Sequence, residues 1–311
     1  MASSFPQSYA SLKLPDIFLS HAPSTSSTPT PVIIITLHRP QHRNAFTDSM
    51  ASSLVKAFDI LSLDPRIKAI VVTGHGNFFC AGADLEGGNG LQYNNDTSRT
   101  HRDGGGQVTM AIHRCTKPVI AAINGSAVGV GITMSLPMSI RIVSEKAKIG
   151  FVFARRGIVM EAASSYFLPR LIGYSRAMHL VTTGEVLPAG HVLLRELFSE
   201  VMPEERVLER ALEVARLVSE NTSAISTSLM KDLMWRGPGT AEGTHLLDSK
   251  VLFELFQGKD KKEGIDSFLE KRKPDFKGTM ERDAPSVWPW WEPLNVKAPE
   301  MIRSLKGKSK L

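Results

Sequence analysis

Residues 117–133 read KPVIAAINGSAVGVGIT. Val119 to Ile123 is a short apolar run with no polar position, as in a strand covered on both faces. Asn124-Gly125 marks a turn, and the residues after Gly129 read as the start of a helix. The first backbone N–H groups of a helix have no partner inside it and point outward with the positive end of its dipole. Residues 78–85, FFCAGADL, repeat the arrangement: a buried strand, then a glycine-bearing turn. Gly82, Gly125 and Gly129 permit close backbone approach. Two such turns converging would aim two amide donors at one developing oxyanion. Two ordinary strand-to-helix turns would carry the same glycines, so spacing alone leaves both readings open.

Outward from these turns the pattern is regular. Val32 to Leu37 (VIIITL), Ala69 to Thr73 (AIVVT) and Ser139 to Ser144 (SIRIVS) read as further buried strands. Asp48 to Leu63 has helical spacing and stops at Asp64-Pro65. Short buried strands separated by helices predict an α/β core with covered sheets. After Val201 the periodicity is helical, over Glu204 to Glu220, Ala224 to Trp235, Ala241 to Gln257 and Lys262 to Arg272. The expected organisation is a flexible arm over 1–30, rich in Ser, Pro and Thr, a core over 31–203, a helical region over 204–276 and a tail over 277–311. The Gly-rich stretch Glu86 to Gly106 reads as a flap or an exposed insertion.

The chain has 311 residues, 42% hydrophobic and 22% charged, ordinary values for a globular protein. No apolar run approaches the ~20 residues of a membrane span. Cys80 and Cys115 are the only cysteines, too few for a disulfide framework or a four-thiolate metal site. His38 and His42 stand four apart on a strand-to-turn segment, and no metal is expected there. The net charge is +6, and Arg303, Lys306, Lys308 and Lys310 put four positive charges into the last ten residues. A basic face for nucleic acid is therefore not expected.

The stretches IIITLHRPQHRNAF, AGADL, KPVIAAINGSAVGVGI and SFLEKRKPDF together resemble the crotonase (enoyl-CoA hydratase/isomerase) superfamily, in order, across most of residues 32–276. The resemblance implies a spiral of repeated ββα units, a helical C-terminal trimerisation region and an acyl-CoA thioester substrate. It places the two oxyanion N–H groups on Ala83 and Val130. It puts CoA binding at Arg43, Asn44 and Ala45 after the first strand, at Ala81 and Asp84, and at Lys271, reached from within the chain or from a neighbouring subunit. No separate cofactor is implied, CoA being part of the substrate. A homotrimer or a dimer of trimers is the implied assembly.

Hydration of a 2-enoyl thioester in this family uses two glutamates, and the corresponding positions here are Thr133 and Phe153. Neither is an acid. Glu161, in GIVMEAASSYFLP, is similar to the catalytic base of the peroxisomal 3-enoyl-CoA to 2-enoyl-CoA isomerases. A single carboxyl suits that reaction, removing a proton at C2 and returning it at C4. A partly buried Glu without a cationic partner should have a raised pKa. The expectation is a Δ3-Δ2 enoyl-CoA isomerase of β-oxidation. The alternatives are a hydratase of fatty or specialised secondary-metabolite acyl-CoA, and a CoA-binding scaffold without activity. Ser309-Lys310-Leu311 is the tripeptide read by the peroxisomal import receptor, which adds a peroxisomal location to the expectation.

Overall fold

The computed structural model describes residues 5–85 and 97–297. Strand β1 (Ile17–His21) pairs antiparallel with β2 (Val32–Leu37), and β3 (Ala69–Gly74), β5 (Val119–Ile123), β7 (Ile140–Ser144) and β10 (Glu200–Met202) follow in parallel. A smaller sheet has the order β4 (Phe78–Cys80), β6 (Ser126–Val128), β8 (Lys148–Gly150) and β9 (Val186–Pro188). In β3–β4, β5–β6 and β7–β8 the first strand enters the large sheet and the second enters the small one. Repetition of that step along the chain produces the expected spiral.

The continuous apolar runs are explained by two covered faces. Ala69, Val71, Ile120, Ala122 and Ile142 point to one cluster with Val207, Ala211 and Ala215 of α6 (Val207–Asn221). Ile70, Val72, Ala121 and Ile123 point the other way, into the main core. There they meet α1 (Asp48–Leu63) and α2 (Gly104–Arg114), which pack on each other. Thr47 caps α1 through its side chain and Asp103 caps α2. One turn, α3 (Val130–Thr133), follows β6, and α4 (Ser164–Ile172) and α5 (Tyr174–Thr183) follow β8. Beyond α6, α7 (Ala224–Arg236), α8 (Ala241–Phe256) and α9 (Lys259–Leu269) form the helical layer, close to the sequence expectation.

Residues 5–30 are not a loose arm. Ile17, Leu19 and His21 alternate inward along β1, and Tyr9 is fully buried, its hydroxyl donating to Asp64 Oδ2 at 2.7 Å. The alternation in Ile17–His21 was the missed signal, hidden between Ser- and Pro-rich flanks. The three glycines at 104–106 are likewise not part of a flap. They form the first turn of α2, against Phe46, Asp48 and Glu161. The rest of the expected flap, 86–96, lies outside the described residues, as do Ser309-Lys310-Leu311.

Candidate active site

β4 and β6 run parallel, with Phe78 opposite Ser126 and Cys80 opposite Ala127, so their C-terminal turns leave the sheet side by side. A Cβ on Gly131 would overlap the Cys80 carbonyl, and one on Gly82 would press on the Val128 carbonyl at 3.0 Å. Only glycine lets the two turns approach this closely. Phe46 N donates to Gly82 O at 2.8 Å and Asp84 N donates to Phe46 O at 2.9 Å. The Ala83 amide between them has no acceptor among the described residues. Val130 opens α3, and its amide is unpaired in the same sense. Two amides without acceptors among the described residues thus follow adjacent strands.

The helical part of the expectation needs correction. Among the described residues no helix follows Ala83, where the chain makes a bridge with Phe46, and 86–96 lie outside them. α3 is a single turn. The donors are the free amides themselves, with little added by a long helix dipole.

Glu161 sits beside Val130 and α2. Its Oε1 accepts from the Thr133 hydroxyl at 2.5 Å, and a Cβ on Gly105 would overlap its Oε2. Ala162 and Ala163 both have positive φ (55° and 50°), unusual for residues with a side chain. This left-handed pair turns the chain between Glu161 and α4, and such strain clusters at functional sites. Ser164 N donates to the Glu161 carbonyl at 2.9 Å, which fixes the backbone as well.

A second acid, absent from the sequence expectation, completes the arrangement. The Asp103 carboxyl lies near enough to that of Glu161 to raise its pKa. Its Oδ1 accepts from Gly106 N at 2.5 Å and from Ala162 N at 3.2 Å. Burial pushes the Glu161 carboxyl up to about 7. The Asp103 charge pushes it the same way, and the bond from Thr133 opposes them. Asp103 escaped notice because its only sequence mark is that of an N-cap residue, placed 58 positions before Glu161. Thr133, read as a lost acid, is instead a hydroxyl donor to the acid that remains.

Phe153 is buried and takes no part in this cluster. Burial pushes the Cys80 thiol up to about 12, so it is a packed hydrophobe and no nucleophile. His38 packs edge-on to Phe18 and His75.

The residues expected to hold CoA divide into two groups. Arg43, Asn44, Ala45, Ala81 and Asp84 come together: Ala81 N donates to Arg43 O at 3.1 Å, and Arg43 lies exposed over the Phe78 ring. Asn44 is fully buried and spends its side chain on the Arg39 amide and the carbonyls of His75 and Phe78. It shapes the turn and has no donor to spare. Asp84 is ion-paired with Arg39 at 2.8 Å, which neutralises an acid that would repel phosphate. Lys271 stands exposed just after α9, and no hydrogen bond or ion pair links it to the first group.

Residues 27–279 match the family model described as enoyl-CoA hydratase/isomerase. The chain is 53% identical over 250 residues to enoyl-CoA hydratase ACTT3 of Alternaria alternata, covering 80% of this chain and 84% of that one. It is 33% identical over 248 residues to 2,3-dehydroadipyl-CoA hydratase of Escherichia coli, 79% of this chain and 95% of that one. Among solved structures, an enoyl-CoA hydratase from Bacillus anthracis superposes with a TM-score of 0.74 at 29% identity, covering 85% of this chain and 100% of that one. These relatives carry the name hydratase, where the sequence reading had put isomerase first.

Proposed function

Because this chain belongs to the enoyl-CoA hydratase/isomerase family, we propose that it adds water across the double bond of a 2-enoyl-CoA, using the Glu161–Asp103 pair as acid and base. The observation that carries this reading is the Glu161–Asp103 pair against Val130, whose amide, like that of Ala83, has no acceptor among the described residues. The two amides bind the thioester oxygen and hold its charge as the enolate forms. The ionised member of the pair takes a proton from water as the oxygen bonds to C3. The protonated member gives its proton to C2. The pair ends with the same number of protons it began with, and passage of a proton between the two acids restores the starting arrangement. A carboxyl with a pKa near 7 suits both halves of that exchange.

CoA enters in this reading past the exposed Arg43, with Ala45 and Ala81 offering backbone. Asp84 stays neutralised by Arg39, and Lys271 contributes only from a neighbouring subunit. The exposed apolar side chains of α7 to α9, Met234, Phe253 and Phe268 among them, support the expected trimer, which light scattering checks directly. The peroxisomal location rests on Ser309-Lys310-Leu311 alone. A tagged copy should leave peroxisomes when Leu311 is removed.

One observation favours the isomerase as second reading: Thr133 and Phe153 replace both family hydratase acids. The two readings separate on a panel of 2-enoyl- and 3-enoyl-CoA thioesters. Hydration removes the ultraviolet absorbance of the conjugated thioester, and isomerisation of the 3-enoyl compound creates it. Conversion of the 3-enoyl compounds alone would overturn hydration.

A further inference from the structure

Thr133 ends the single turn of α3 that Val130 begins, and its side chain is fully buried. The turn is seated against β4 so closely that a Cβ on Gly131 would overlap the Cys80 carbonyl. One held turn therefore carries both the free Val130 amide and the Thr133 hydroxyl. That hydroxyl has one hydrogen and two acceptors in reach: Glu161 Oε1 at 2.5 Å and the Gly129 carbonyl at 3.3 Å. The Gly129 carbonyl already accepts from the Ile132 and Thr133 amides, at 3.1 and 3.0 Å. A threonine that only closed its own helical turn would give its hydrogen to that carbonyl, four residues back. Here the shorter contact goes to the carboxyl, and a bond to an ionised acceptor is roughly twice as strong as one between neutral groups.

The two oxygens of Glu161 have different surroundings. Oε1 is held by Thr133. Oε2 lies where a Cβ on Gly105 would stand, a point also 3.0 Å from the Val130 side chain. Asp103 and the Cys80 thiol are the titratable groups in electrical contact with this carboxyl among the described residues. Burial pushes the thiol up to about 12 and keeps it neutral, so Asp103 is the charged neighbour.

We propose that Thr133 is a positioning residue for the reaction: by occupying Oε1 it fixes the plane of the Glu161 carboxyl and leaves Oε2 as the oxygen that exchanges a proton with water or substrate. The proposal rests on the reading of Glu161 as a reacting acid and deepens it. The same bond favours the ionised carboxyl against burial and Asp103, so it keeps part of Glu161 available as a base near neutral pH. A position that carries an acid in the family's hydratases here serves the acid that remains.

Thr133→Val keeps the shape and removes the hydrogen bond. Infrared titration of the resting protein follows the Glu161 carboxyl, whose band is identified by its loss in Glu161→Gln. In Thr133→Val that titration should move up by about one pH unit, the worth of one hydrogen bond to a charged group. The acidic limb of the pH–rate profile should move up with it, opposite in sign to the effect of Asp103→Asn. At the pH optimum kcat should fall about tenfold with KM nearly unchanged, the mark of an interaction used in the transition state. Thr133→Ser restores the hydroxyl and should recover most of both losses. An unmoved titration, or a Thr133→Ser protein as impaired as Thr133→Val, would overturn the proposal. A hydroxyl that merely closed α3 would change Tm and leave the titration in place. If the unmodified protein turns over neither 2-enoyl- nor 3-enoyl-CoA, the catalytic reading of Glu161 fails, and the infrared titration still decides whether Thr133 governs that carboxyl.

Discussion

Glu161 and Glu263 are both acids with a charged neighbour, and their surroundings drive them in opposite directions. Glu161 lies between α2 and α3 with another acid beside it, and burial lifts its carboxyl to about 7. Glu263 sits on the exposed face of α9, where Arg272 contacts both its oxygens at 2.5 and 2.9 Å and the Asp275 amide adds a third bond. Its carboxyl falls to about 2. The outer pair is a well-made surface ion pair, which water and salt weaken. The inner pair costs stability, and such a cost is retained where chemistry uses it. The size of a perturbation does not mark a site. Its direction, and the enclosure that produces it, do.

The strongest attack on this contrast is Glu161→Gln, which keeps the shape and removes the proton exchange. It should lower kcat by roughly 10²–10⁴ on whichever enoyl-CoA is turned over. Full activity would remove Glu161 from the chemistry. Gly105→Ala comes next, since the new methyl overlaps Oε2 and must displace the carboxyl. A loss of about tenfold or more in kcat is expected, for misplacement of a reacting group is costly.

Asp103→Asn should preserve the cap on α2 and cost about tenfold. It should also move the acidic limb of the pH–rate profile to lower pH, because Asp103 raises the Glu161 pKa. An unmoved limb would show that the two acids are not coupled.

A smaller effect sharpens the comparison through stability. The folded-state pKa of Glu161, about 7, lies above the ordinary 4.5. The folded form therefore holds its proton more tightly, and stability declines as pH rises through that interval. Glu161→Gln should raise Tm by several degrees at pH 8 and change it little at pH 4. At the outer pair the sign is reversed: Glu263 is depressed, so its contribution is present above the ordinary carboxylate pKa and lost in acid. At the protein surface such a pair is worth little, and Arg272→Ala should leave Tm at pH 8 almost unchanged.

Much of the core could be read directly because its signals are local. Ala69–Val72 and Val119–Ile123 are continuous apolar runs, and a run without polar positions has few places to go except a covered sheet; Ile140–Ser144 is interrupted by Arg141 but keeps the β-branched pattern. α1 shows its helical spacing and its stop at Asp64-Pro65. Ile17–His21 was harder, since a five-residue strand with Ser20 in it, next to a Ser- and Pro-rich stretch, carries too little pattern to outweigh its flanks. Glu161 stood out as an acid among apolar and small residues. Asp103 did not, because nothing adjacent to it in the chain indicates that α2 returns to lie against residue 161.

The sequence by itself determined the covered strands, the glycines that allow two turns to meet, and the acid set in an apolar segment, for each depends on residues within a few positions of one another. Only the tertiary structure decided that Asp103 and Thr133 flank Glu161, and that Asn44 and Asp84 are already engaged. Those facts depend on which distant side chains share a low-dielectric space. Chain folding sets that distance, and local pattern carries no record of it.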